Sequence, residues 1–199
     1  VMFDTKYKIL VENNGFEFVF FKIFIPLMTE LGILWPTGAI CPSHEHFITS
    51  LIKQKIHVET EKTQNKKNIY ESSPKFVVFL PDNEIHELSI LFLNYLILKN
   101  GYRTIFLGQS IPIKSLKTLF SQTDLLHFVT YITVQPSKSD IFKFVNLFDE
   151  ILIEGTKNSL SVFGPQIKHL KHKKLPDNVF IHDDLDTFVE QFLTQPVFI

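Results

Sequence analysis

Residues 76–112, FVVFLPDNEIHELSILFLNYLILKNGYRTIFLGQSIP, set the fold of the chain. The short apolar run Phe76 to Leu80 ends at a Pro-Asp-Asn turn, which is how a fully buried parallel strand reads. A helix is expected from about Glu87 to Lys99, with Leu88, Leu91, Phe92, Tyr95 and Leu96 recurring on one face. Gly101 stops it where a left-handed residue is wanted. A second apolar run, Thr104 to Leu107, ends in Gly108. Strand, helix and strand in this order make a right-handed crossover. Ligands of such sheets bind beyond the carboxyl ends of the strands. Glu84, His86 and Glu87 stand at that end of the first strand.

Downstream the alternation continues. Strands are expected near 75–80, 103–107, 125–132, 160–163 and 178–181, with helices near 87–99, 113–121, 138–154, 165–170 and 184–193. Asp183 and Asp184 suit the positive end of the last helix. The pattern is α/β: a flavodoxin-like (Rossmann-like) five-stranded parallel sheet over 74–199. Upstream, residues 59–73, ETEKTQNKKNIYESS, are polar and nearly free of large aliphatics, and read as a linker. Residues 1–58 read as an N-terminal helical bundle. Its helices are expected over 3–13, from Phe16 to Leu31 with a kink at Pro26 and an end at Gly32, and from Pro42 to Ile56 with Ser43 as N-cap. The middle helix is apolar nearly all round, so other helices are expected to surround it.

Bulk composition narrows the function. The chain has 199 residues, 45% of them hydrophobic, and 21 phenylalanines, enough for a sizeable core. A net charge of −1 without a basic block argues against nucleic-acid binding by these residues themselves. The single cysteine, Cys41, excludes an intrachain disulfide and a thiolate zinc cluster, and fits a reducing cytoplasm. Glu17, Lys22, Pro26 and Glu30 interrupt the longest apolar run, so no membrane helix is expected. The start lacks the pattern of a signal peptide. The chain opens mid-pattern on Val1, as a segment of a longer protein would.

The first strand–helix turn holds neither G-x-G-x-x-G nor G-x-x-x-x-G-K-[ST], which argues against a dinucleotide or nucleoside triphosphate cradle. Thr130 to Thr133 stand where a phospho-acceptor receiver would carry aspartate. There remains His86 between Glu84 and Glu87. A neutral imidazole is a good transition-metal ligand, and a carboxylate two residues away can take its other ring proton. An exposed turn histidine is the commoner outcome on local chemistry alone. A second group is Trp35, His44, Glu45 and His46, either an aromatic and polar wall over a flat ligand or a tryptophan plugging the bundle. Small residues at strand ends, Gly164 after the fourth and Thr130 on the third, allow a bulky group to approach the backbone.

Together, the spacing W-x9-E-H from Trp35 to His46, then E-I-H-E-L and L-G-Q-S-I-P, resembles the cobalamin-binding sensor region of MerR-type transcriptional regulators. The light-responsive, adenosylcobalamin-dependent repressors are the nearest look-alikes. The resemblance implies a helical cap over a Rossmann-like domain with the corrinoid between them. It implies His86 as lower axial cobalt ligand, oriented by Glu84. The displaced nucleotide tail would pass Ser89, Thr130 and Gly164, while Trp35, Glu45 and His46 would cover the adenosyl group. It further implies a homo-oligomer, dimer or tetramer, that reaches DNA only through a winged-helix domain outside this chain and dissociates in light. Three positions depart from the family pattern. Ser89 replaces a glycine that gives the tail room, Pro36 replaces a potential histidine ligand, and a tandem glycine is Gly164-Pro165 here. Two other readings stand beside this one: a corrinoid protein shuttling methyl groups for methyltransferases, and a cofactor-free interaction module on the same scaffold. Neither the sensor nor the interaction module is an enzyme.

Overall fold

The all-apolar run after Lys75 forms strand β1 (Lys75–Pro81), buried at every position but the first. A strand without a polar face must be covered on both sides, and this one lies inside a five-stranded, all-parallel sheet of order β2-β1-β3-β4-β5. The computed structural model describes residues 2–34, 37–64, 74–119 and 125–193. The other strands are β2 (Thr104–Ile111), β3 (Leu126–Tyr131), β4 (Ser159–Phe163) and β5 (Val179–Ile181). The chain divides into two compact units, Val1–Glu59 and Thr60–Ile199.

Strand alternation sorts the sheet residues onto two faces. Val77, Phe79, Phe128 and Val162 pack with Leu116 of α6 (Ile113–Leu119) and with Ile141, Val145 and Phe148 of α7 (Ile141–Phe148). Phe76, Val78, Leu80, Val129 and Phe163 pack with Ile90, Leu93 and Ile97 of α5 (Leu88–Lys99) and with Phe188 of α8 (Leu185–Phe188). Each such fully buried side chain contributes roughly 1.5–3 kcal/mol. The face of α5 that meets the sheet is therefore Ile90, Leu93 and Ile97, with Leu96 of the expected stripe packed beside them; Leu91, Phe92 and Tyr95 of that stripe are buried too, and Leu88 is half-buried. This helix is apolar almost all round, so periodicity alone could not choose its inner side. Gly101, at φ 89°, follows its last turn as expected.

Several boundaries differ from expectation. β2 does not stop at Gly108 but continues to Ile111, shifting register against β1 twice. Gly108 and Ser110 both take positive φ, 81° and 56°, where the edge strand bulges. The helix expected from 138 begins at Ile141 and finishes in a π turn, Asp149–Ile153. The helix expected at 165–170 is a 3-10 segment, Pro165–His169. α8 is capped by Asp184, whose carboxylate accepts from the Thr187 amide at 2.8 Å, and runs into a π turn, Val189–Leu193.

On the α8 side the sheet buries a polar chain. Ser159 Oγ, His127, Ser161 Oγ and His182 are linked at 2.5, 2.9 and 2.9 Å. Phe163 stacks on His182 with centroids 4.8 Å apart, and Phe192 lies 4.3 Å from His127. Burial holds both rings neutral, His127 lowered to about 3 and His182 to about 4.

In the first unit, α1 (Met2–Asn14) packs Tyr7 against Phe3 and Phe24 in a stack. The Tyr7 hydroxyl donates to Glu59 at 3.0 Å, and Lys55 pairs with Asp4. The next helix runs as α2 (Phe16–Val19), a π turn (Phe20–Phe24) and α3 (Ile25–Leu34). The expected disturbance at Pro26 takes the form of that π turn, with the Ile25 amide bonding back to the Phe20 carbonyl. A proline ring clashes with the carbonyl four residues before it, and one wider turn relieves this. Gly32 does not end the helix, which continues to Leu34. Nor is the helix surrounded: Phe18, Phe21, Ile33 and Leu34 are exposed. Helix α4 (Pro42–Gln64) has Pro42, not a Ser43 cap, at its first position and runs past Ile56 into the stretch expected to be linker. Residues 65–73 of that stretch lie outside the described residues.

One position tests the packing at the strand ends. Gly164 has φ 101°, and a Cβ there would sit 2.4 Å from the Ile132 carbonyl oxygen. Gly164→Ala is expected to cost roughly 2 kcal/mol or more, read as a lower urea midpoint with unchanged slope.

Candidate functional site

The strand order reverses direction between β1 and β3, which pair side by side with Phe79 opposite Thr130. The loops leaving these two strands are therefore neighbours at the carboxyl edge, where open parallel sheets bind ligands. Glu84 sits on the first loop and is fully buried. Its Oε1 accepts from the amides of Ile85 and His86 at 2.9 and 3.0 Å. Its Oε2 accepts from three successive amides of the second loop, Thr133, Val134 and Gln135, at 3.0, 2.6 and 2.9 Å. Burial pushes the carboxyl up, but the Val134 and Gln135 amides and the His86 ring outweigh it, lowering Glu84 to about 2.

The sixth partner of this carboxylate is His86 Nδ1, 2.6 Å from Oε1. An ionised carboxylate only accepts, so Nδ1 must carry the proton. The lone pair of the neutral ring then lies on Nε2. The His86 side chain is 52% exposed while its partner is wholly enclosed, so a fixed ring presents a coordinating nitrogen at the sheet edge. The arrangement can supply one nitrogen ligand of defined tautomer. Among the described residues no group of three or more His, Cys, Asp or Glu could hold a bare metal ion. The donor set fits a metal that brings its other ligands with it.

The remaining expected residues come together only in part. Ser89 is half-buried on the first turn of α5, which packs on the Val129 face. Thr130 is fully buried on the opposite, Phe128 face, and its Oγ1 has no partner among the described residues. Ser89 and Thr130 thus belong to opposite faces of the sheet, each close to its carboxyl edge. Gly164 is explained by the Ile132 backbone against it. In the other unit, Glu45 and His46 occupy the first turn of α4. Glu45 accepts from the Thr49 hydroxyl at 2.5 Å and lies 3.2 Å from His46 Nδ1, and the His46 side chain is 78% exposed. His44 is exposed. Trp35 and Pro36 lie outside the described residues. Cys41 is exposed, and amide hydrogen bonding at the start of α4 lowers its thiol.

Two contributors escaped the sequence reading. The Thr133–Gln135 amides carry no side-chain signal, because the backbone does the work. Ser110, which bonds to the Asp82–Asn83 turn, belongs to the quoted L-G-Q-S-I-P stretch, and its place before Pro112 at a strand end was the available clue.

The comparisons fall on both parts of the chain. A sequence model described as B12 binding domain matches residues 7–58. Among curated proteins none matches the chain in sequence. Among solved structures, the monomethylamine corrinoid protein of Methanosarcina barkeri is similar over 82% of this chain and 76% of its own, with TM-score 0.64 and 10% identity. A cobalamin-binding protein of Desulfitobacterium hafniense is similar over 82% and 75%, with TM-score 0.39 and 12% identity. At such identity the Methanosarcina structure establishes a shared fold. Among the described residues no helix is long and apolar enough to cross a membrane.

The buried carboxylate gives the site a pH signature. A depressed Glu84 contributes stability that is complete above the ordinary 4.5 and lost as pH falls through about 2. Wild type is expected to lose stability across that window more steeply than Glu84→Gln. At pH 7 the Glu84→Gln variant should be the less stable, because an amide cannot accept from all six donors. Urea titrations at pH 7, 4.5 and 3 measure both.

Proposed function

We propose that this chain is a corrinoid-binding module in which His86 would hold the cobalt through its Nε2. The observation that carries this reading is the His86 ring, pinned through Nδ1 by an ionised, enclosed Glu84 with Nε2 left to coordinate. A corrinoid brings four nitrogen ligands with its cobalt, so a single imidazole from His86 would suffice to hold it without a protein metal cluster. The bound group would supply a cobalt–carbon bond that no side chain can make. The match of residues 7–58 to the B12 binding domain supports the same ligand from a stretch that does not include His86. Ser89, Thr130 and Gly164, all close to the carboxyl edge of the sheet, would border the path of the displaced tail.

The finer reading is the ligand-sensing part of a MerR-type regulator responding to adenosylcobalamin, with Trp35, Glu45 and His46 toward the upper face. In that role occupancy would shift an assembly equilibrium, by as much as the cofactor prefers one assembled state. DNA would be reached through a winged-helix domain outside this chain. A second reading, a carrier of methyl groups for a methyltransferase, is favoured by the fold shared with a monomethylamine corrinoid protein. It needs His86 but not the cover of Trp35, Glu45 and His46.

Dark incubation with adenosylcobalamin is expected to colour the protein and give the absorption of a histidine-ligated, base-displaced corrinoid. His86→Ala should remove that spectrum and weaken uptake by about tenfold or more. An unchanged spectrum would exclude His86 as the ligand. Loss of an oligomer on illumination, followed by size-exclusion chromatography, selects the sensor. Methyl exchange with a partner enzyme in the absence of any light effect selects the carrier.

A further inference from the structure

The turn that carries Glu84 is held from a second side, by the bulged end of β2. Ser110 bonds to three consecutive residues of it. Its hydroxyl oxygen accepts from the Asn83 amide at 3.0 Å, and the hydroxyl points its proton toward Asp82 Oδ1 at 3.3 Å. Its own amide donates to the Glu84 carbonyl at 3.2 Å. To do this Ser110 adopts φ 56°, and Asn83 facing it adopts φ 63°. These are the two non-glycine residues with positive φ among the described residues, and they meet across one pair of strands. Backbone strain of this kind persists only where the surroundings over-determine it.

The geometry has one evident beneficiary. Glu84 is fixed at its carboxylate by the loop after β3 and at its main chain by Ser110. His86, two residues on, takes its ring orientation from that carboxylate. We propose that Ser110 is a positioning residue for the His86 imidazole: it seats the Asp82–Asn83–Glu84 turn so that Glu84 Oε1 meets Nδ1 and leaves Nε2 outward. The value of this to the protein rests on the reading of His86 as a cobalt ligand. The seating itself does not. Groups that orient a metal-binding histidine typically alter affinity by 10–100-fold without touching the metal.

The test is Ser110→Gly. Glycine takes positive φ freely, so the backbone is eased while the hydroxyl is lost. Two readouts are taken on the whole chain: ring-nitrogen NMR of His86 in cofactor-free protein, and uptake of hydroxocobalamin in the dark by absorption. Wild type is expected to show a single tautomer protonated at Nδ1. The glycine variant, with an unchanged melting midpoint, is expected to show both tautomers and about tenfold weaker uptake. A glycine variant that keeps the wild-type ring signals and uptake overturns the proposal. If wild type takes up no cobalamin but the variant still scrambles the ring, the positioning role stands and the cofactor reading falls. Should the glycine variant not fold, Ser110→Asn, which also tolerates positive φ and also removes the hydroxyl, is read by the same two signals.

Discussion

A single buried negative charge governs this molecule's functional edge. Burying an unpaired carboxylate costs several kcal/mol, and only good partners on both oxygens offset it. Glu84 has six: five main-chain amides and one imidazole. Hydrogen bonds to a charged group are worth about 1.5–3 kcal/mol each. The carboxylate therefore ties the exit of β1 to the exit of β3 more firmly than apolar contact would, since it fixes direction as well as distance. Its dependence runs both ways. Without Glu84 three successive amides after β3 would be left without their acceptor, and without those amides the charge would not stay ionised. The single tautomer of His86 is a by-product of this local balance.

The sheet was legible because its signal is repeated. Each strand is a short apolar run closed by a turn, and five such runs alternate with helices, so errors at single boundaries did not disturb the class. Boundaries failed where tertiary structure overrides local pattern. β2 outruns Gly108 because a bulge, not a stop, follows it. The expected stripe of α5 leaves out Ile90, Leu93 and Ile97, because a helix buried nearly all round has no distinctive side. Within the site, Glu84 and His86 were legible as side chains two apart at a strand end. The strength of their fixation was not, since most of it comes from peptide groups whose sequence is irrelevant. The faces on which Ser89 and Thr130 stand were not legible, because they depend on how α5 docks and on which way each residue of β3 points. The buried His127–Ser161–His182 chain was invisible for a similar reason. His127 and Ser161 stand on β3 and β4 and His182 directly follows β5, and only the β3–β4–β5 adjacency brings them into line.

Residues 7–58 match a sequence model described as B12 binding domain. The chain shares its fold with the Methanosarcina corrinoid protein over 82% of its length. Neither finding bears on the tautomer of a ring, which rests on the hydrogen bonds around Glu84 alone.

The wide turn ahead of Pro26 has a further consequence for the helical unit. A wide turn takes up one extra residue locally, so the helix beyond it keeps its phase. Phe16, Val19, Phe20 and Phe24 lie on the enclosed side, and Leu31 follows them there. Deleting one residue between Phe20 and Phe24 would restore regular winding and leave the second half facing nearly the same way, but would return a carbonyl to the place where the Pro26 ring clashes.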